Sequence, residues 1–238
     1  MTPADGASAA DETKRCCAAV YGSEWARLLL GDSYHPGGLA LTERLGALLG
    51  LERGMQVLDV AAGTGGSAIH LAEQFNCRVT GLDLSGPNVV AAREATERAG
   101  VATLTQFVAG DAERLPFPDQ SFDALICECA FCTFPDKARA AGEFARVLRP
   151  GGRVGLSDLT RDGPLPRELD GLLAWIACIA DARTLSDYEA YLRQAGFRID
   201  GAERHDEALS AMTRQIRATL MGVDLLVGLR KLDLPDID

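Results

Sequence analysis

The chain has 238 residues, 47% of them hydrophobic and 24% charged, a globular balance that suits one well-buried domain and is too short for two ordinary ones. Its formal net charge of −10 and isoelectric point near 4.8 argue against a phosphate-tracking surface, so neither nucleic acid nor an anionic membrane is expected as a partner. No Lys- or Arg-led apolar segment opens the chain, and the longest apolar run, Gly171 to Ala180, has about half the length needed to span a bilayer. A cytoplasmic protein is expected.

Residues 1–10 are rich in small side chains and lack an apolar period, which predicts a frayed end. Thr13 to Leu30 carries apolar residues at helical spacing and is followed by a turn from Gly31 to Gly38. Leu39, Leu41, Leu45, Leu48 and Leu49 predict a second amphipathic helix. From Gln56 onward the pattern alternates. Gln56–Ala61, Val79–Leu84, Leu104–Ala109, Phe122–Cys129 and Arg153–Ser157 read as strands; Gly66–Gln74, Pro87–Ala99 and Asp136–Leu148 read as helices between them. The last helix stops at Pro150-Gly151-Gly152. Farther on, Leu165–Asp181, Leu185–Gln194 and Glu207–Leu220 read as helices, and Phe197–Glu203 as a sixth strand. The alternation implies a doubly wound, Rossmann-like α/β fold, a mostly parallel sheet with helices on both faces. Such sheets bind ligands beyond the carboxyl ends of their strands, where strand order reverses.

Three polar segments lie at those ends. The first strand runs through Asp59 into Gly63-Thr64-Gly65-Gly66, where glycines allow a tight turn and close approach of backbone to a ligand. Alone it is a feature of many nucleotide enzymes, or of a plain structural turn. Asp83, followed by Leu84, ends the second strand, where a carboxylate accepts from two ribose hydroxyls or caps the next helix; Ser85 is a rival cap. Asp111 and Ala112 follow the third strand, where a carboxylate accepts from an adenine amino group; plain turn chemistry is the alternative.

In order and spacing these three motifs, across Val57 to Leu159, resemble the class I S-adenosylmethionine-dependent methyltransferases. The resemblance implies S-adenosylmethionine as cofactor, with Gly63 and Gly65 near its methionyl part, Asp83 on the ribose, and Asp111 with Ala112 on adenine. Asp59, Thr64, Leu84 and Glu128 complete the expected cofactor residues.

Seven cysteines are present, an odd number that argues against a disulfide framework. Cys127, Cys129 and Cys132 cluster at the end of the fourth strand, where Cys127 and Cys129 project to one side and Glu128 to the other. They are open to three readings: small buried hydrophobes, a zinc site for which Cys-x-Cys-x-x-Cys is not the usual spacing, or soft ligands for the methyl acceptor. Cys129 with Lys137 in a Pro-Asp-Lys turn, and Trp175-Ile-Ala-Cys178 before a helix ending at Gln194-Ala-Gly-Phe197, resemble the arsenite methyltransferases. That resemblance implies As(III) as a metalloid substrate held by Cys129, Cys178 and one of Cys16 or Cys17, with an external thiol as reductant. The alternatives are methyl transfer to an organic oxygen, nitrogen or carbon with the cysteines as packing, and a non-catalytic thiol-based sensor.

The chain is accordingly divided into residues 1–50, a helical cap with the cysteine pair; 51–160, the cofactor-binding α/β core; and 161–238, the C-terminal part of the same domain. Class I sheets usually have seven strands, and Val223–Leu229 is the candidate for the last. His35, in a His-Pro-Gly-Gly turn, is open to three readings: a residue lying over the cofactor, a base, or a plain turn residue. Tyr21 and Trp25 read as core or acceptor pocket, His70 as packing and Cys77 as structural; His205 carries no signal.

Overall fold

The computed structural model describes residue 14, residues 35–163 and residues 181–228. The elements run in chain order as α1 (Gly38–Leu49), β1 (Gln56–Val60), α2 (Gly66–Phe75), β2 (Arg78–Asp83), α3 (Gly86–Ala99), β3 (Thr105–Ala109), β4 (Phe122–Glu128), a short 3-10 turn (Phe131–Thr133), α4 (Lys137–Val147), β5 (Leu148–Ser157), α5 (Leu185–Gln194) and α6 (Asp206–Gly228). The strands pair in parallel in the order β3-β2-β1-β4-β5. The chain therefore winds outward from β1 to β3, then returns to the other side of β1. The reversal leaves a crevice beyond the carboxyl ends of β1 and β4, as the sequence pattern anticipates.

Alternation along the strands divides the core in two. Leu58, Val60, Leu125 and Cys127 pack on one face against Phe144 and Val147 of α4 and Tyr188 and Leu192 of α5. Val57, Val79, Ala124 and Ile126 pack on the other against Leu49 of α1, Leu71 of α2 and Val89 of α3. Three helices begin at a residue whose side chain caps them. Ser85 accepts from Asn88 N–H ahead of α3, Asp136 accepts from Arg139 N–H ahead of α4, and Thr184 with Asp187 forms a capping box at α5. α1 and α2 instead follow left-handed glycines, Gly37 (φ 84°) and Gly65 (φ 86°), that offer no side-chain cap, so the first amides of α2 are left for another acceptor.

Three expectations are corrected. The fifth strand begins at Leu148, paired with Phe122, and resumes at Arg153 opposite Ala124; Pro150-Gly151-Gly152 forms an irregularity within the strand after α4 has already ended at Val147. Phe197–Glu203 is not a strand. Phe197 and Ile199 pack against the α4–α5 core, while Asp200 pairs with Arg153 of β5 (3.2 Å) and Glu203 with Arg44 of α1 (2.7 Å), so side chains tie down this segment where a backbone ladder was expected. Val223 to Gly228 continues α6, and the sheet among the described residues has five strands. A short apolar run is compatible with either element, and the helix already under way decides it. No helix among the described residues is long and apolar enough to cross a membrane.

Candidate active site

A single cavity occupies the crevice and is lined by most of the polar residues singled out from sequence. At the end of β1 the backbone turns left-handed at Ala61 (φ 61°), Gly63 (φ 54°) and Gly65 (φ 86°). A side chain fits such angles poorly, which is why glycine dominates here. Gly63 and Thr64 line the cavity; Gly65 does not. A Cβ at Gly65 would come within 2.8 Å of the Phe107 ring, so its smallness serves the packing of α2 on the sheet.

Asp83, 8% exposed, lies where β2 meets this turn. Its Oδ2 accepts from Gly63 N–H (2.8 Å), and its Oδ1 from Ser85 N–H (2.8 Å) and the Asn88 amide (3.3 Å). Burial raises its pKa above the usual carboxylate value, partly offset by these donors. Ser85 is the helix cap, so Asp83 is left to hold the glycine turn and face the cavity with Leu84.

Asp59 and Glu128 come from neighbouring strands and obey the same parity as Val57 and Ile126, so both point toward α1 and α2. Asp59 accepts from Ala68 N–H, and its Oδ2 is buried with no donor. Burial raises its pKa well above the carboxylate range, with Glu128 and Asp83 adding like charge. The Oε2 of Glu128 accepts from the hydroxyls of Ser67 (2.6 Å) and Thr42 (2.9 Å), and its Oε1 is likewise without a donor. His35 is buried beside them, its Nε2 3.6 Å from Glu128 Oε2. Asp59, Glu128, Ser67 and His35 all line the cavity.

The cysteines separate. Cys127 and Cys129 both contact the α4–α5 core, as alternation requires, but Cys127 is wholly buried there. Its thiol is held neutral by burial and by the neighbouring carboxylates of Asp158, Asp59 and Glu128. Cys132 is also buried in that core. Cys129, one residue beyond the strand, takes a left-handed conformation (φ 51°) unusual for a residue with a side chain, and lines the cavity with Ala130, Thr133 and Phe134. Lys137 is 3% exposed and is spent on Asp181 Oδ2 (2.5 Å) and the Phe134 carbonyl (3.0 Å). Cys16, Cys17, Cys178, Tyr21 and Trp25 lie outside the described residues. Cys77 is buried and structural, its thiol pushed up to about 11 by burial.

At the opposite end Asp111 and Ala112 line the cavity. Asp111 Oδ1 accepts from Glu113 N–H (2.9 Å), and Lys14 reaches Asp111 Oδ2 (2.8 Å) and Glu113 Oε2 (2.5 Å). Burial works against the Lys14 charge, but the hydrogen bonds it donates to both carboxylates outweigh it and raise its pKa. Neither Lys14 nor Thr42 was legible as a site residue. Thr42 did carry a signal: with Leu45 and Leu49 it occupies the buried stripe of α1, where a polar residue needs a partner.

A glycine turn leading into an uncapped helix, an acid ending β2 and an acid after β3 are thus gathered in one cavity. Residues 58–156 match the family described as "Methyltransferase domain". The O-methyltransferase rstn1 of Aspergillus nomiae is 32% identical over 160 residues, 67% of this chain and 71% of that protein. The chain belongs to the class I S-adenosylmethionine-dependent methyltransferases. It is 35% identical over 173 residues (68% of this chain, 61% of the other) to the 27-O-demethylrifamycin SV methyltransferase of Amycolatopsis mediterranei. It is 31% identical over 168 residues (68% and 42%) to an arsenite methyltransferase of Halobacterium salinarum. The fold matches that of the [4+2]-cyclase SpnF, with a TM-score of 0.76 at 23% identity over 93% of this chain and 85% of that one. The chain spans about three fifths of the length of several curated relatives it matches.

The methyltransferase's cofactor is S-adenosylmethionine, and the cavity suits it. Two buried carboxylate oxygens without donors answer to a ligand ammonium, and the amides at the start of α2 answer to a carboxylate.

Proposed function

We propose that this methyltransferase acts on a soft, trivalent metalloid, As(III) in the first instance, captured at Cys129. The observation that carries this reading is the placement of Cys129. Cys129 is the one cysteine among the described residues that lines the cofactor cavity, held there by a backbone conformation that costs about 1 kcal/mol or more for a residue with a Cβ. The similarity to an arsenite methyltransferase supports the same acceptor. Cys178 and one of Cys16 or Cys17 would complete the thiolate set.

On this reading Asp83 holds the ribose hydroxyls, Asp111 and Ala112 the adenine edge, and Gly63 and Thr64 the methionyl backbone. Asp59 and Glu128 share the methionyl ammonium, which draws the proton off the buried Asp59. When bound, S-adenosylmethionine supplies an electrophilic methyl group on a sulfonium. The protein's own task is then alignment. Cys129 replaces an oxygen ligand of the acceptor, its thiol proton leaving with that oxygen as water, and the apolar wall of Ala130 and Phe134 keeps solvent from the reacting pair. Methylation at the arsenic lone pair leaves the metalloid pentavalent; two cysteine thiolates would return it to As(III) by closing a disulfide, and an external dithiol, itself oxidised, reduces that disulfide between turnovers.

The test is incubation with labelled cofactor and arsenite, with speciation of the products. Wild-type protein yields methylated arsenic, and Cys129→Ser lowers the yield at least a hundredfold while cofactor affinity stays the same; an unchanged yield refutes the reading.

A second reading, transfer to an organic hydroxyl or amine, draws on the pairing of His35 with Glu128 in the same cavity and on the O-methyltransferase relatives. There His35 takes the acceptor's proton and Glu128 steadies the imidazolium. It predicts that His35→Gln abolishes turnover of an organic acceptor panel and that Cys129→Ser does not.

A further inference from the structure

Lys14 is one of three lysines in a chain with twenty-one arginines. It reaches the adenine end of the cavity from a position 97 residues away in sequence, and its side chain is 12% exposed. The two carboxylates it joins are otherwise committed to backbone. Asp111 Oδ1 accepts from Glu113 N–H, and Glu113 Oε1 accepts from Asp136 N–H at 2.8 Å. The remaining oxygen of each carboxylate faces the Lys14 ammonium. Asp111 thus has a single oxygen free of the backbone, and Lys14 holds it.

We propose that Lys14 is an internal occupant of the nucleobase subsite, which competes with the adenine 6-amino group for Asp111. This rests on Asp111 reading the adenine, as set out above. A neutral amino group that seats on that oxygen takes or shares it with a charged donor, so an adenine-bearing ligand binds at the expense of the Lys14–Asp111 ion pair. Lys14 then remains on Glu113, whose buried charge still needs it. The chemistry also sets a preference among bases. Hypoxanthine presents a 6-oxo acceptor in place of the amino donor, and that oxygen takes a hydrogen bond from Lys14 with the Asp111 pair intact.

The experiment is calorimetric titration of the full chain with S-adenosylhomocysteine and with S-inosylhomocysteine. Lys14→Met keeps the length of the side chain and removes the charge. It is expected to tighten S-adenosylhomocysteine about tenfold, the scale of one charged hydrogen bond, and to leave S-inosylhomocysteine no tighter. Unchanged or weaker binding of S-adenosylhomocysteine overturns the proposal. Asp111→Asn separates the two ideas. If it leaves that binding intact, the adenine reading itself fails; if it weakens binding while Lys14→Met has no effect, only the competition fails. A readout on wild-type protein guards against a folding defect. Brief acetylation with peptide mass analysis is expected to modify Lys14 faster when S-adenosylhomocysteine is saturating, with buried Lys137 as the internal reference, and protection of Lys14 by the ligand counts against competition.

Discussion

Two faces of one strand, β4, have opposite fates. Leu125 and Cys127 enter a dry core with Phe131, Phe144 and Tyr188, whose rings meet edge-on or tilted at 5.7–5.9 Å. Ile126 and then Glu128 face α1 and α2, and at Glu128 that face turns into a polar cluster of Thr42, Ser67 and His35. The first face satisfies itself. The second ends on a carboxylate oxygen with no donor. A period of two lets a single strand supply packing on one side and binding chemistry on the other, and the change from one role to the other takes a single residue.

Mutations should separate the two faces. Phe131→Ala, at a fully buried ring, is expected to cost about 3–5 kcal/mol in chemical denaturation. The fraction that stays folded should bind cofactor normally. Glu128→Gln should do the reverse, weakening S-adenosylmethionine by about 1.5–3 kcal/mol in titration calorimetry with thermal stability unchanged or higher, because a buried, half-satisfied charge is removed. A large stability loss in Glu128→Gln would break the contrast. Cys127→Ala should cost about 1–2 kcal/mol of stability and leave methylation intact, unlike its neighbour Cys129.

The smallest effect concerns Cys77. Its folded-state pKa is raised from 9.0 to about 11 because burial disfavours the thiolate. The neutral thiol is the form the fold prefers, so its contribution is complete below pH 9 and is lost as pH rises through about 11. Denaturation midpoints of wild type and Cys77→Ala should therefore converge over that window. A constant gap between them would place the thiol outside the core.

Much of this contrast was legible in the sequence, for a physical reason. Gly63, Asp83 and Asp111 each end a β-rich run, and parallel topology gathers such ends at one edge, so the motifs could be joined before any contact was known. The residues that escaped, Lys14 and Thr42, lie outside that topology. Lys14 gives no local pattern at all, and Thr42 shows only as a polar residue on an apolar stripe. The expected strand at Phe197–Glu203 failed because Phe197 and Ile199 alternate as a strand would, while Asp200 and Glu203 spend their charges on Arg153 and Arg44. Alternation reports which side chains are buried and is silent on whether a backbone partner exists.

The buried Asp59 has a thermodynamic signature of its own. With its pKa raised by burial and by Glu128 and Asp83, it holds a proton more tightly than an ordinary aspartate in the ligand-free protein. A cation seated beside it favours the ionised form, so uptake of the cofactor should expel that proton into solution. The observed heat of binding would then change with the ionisation enthalpy of the buffer, and affinity would climb with pH until Asp59 is already ionised. In Asp59→Asn the heats in phosphate and in Tris should coincide.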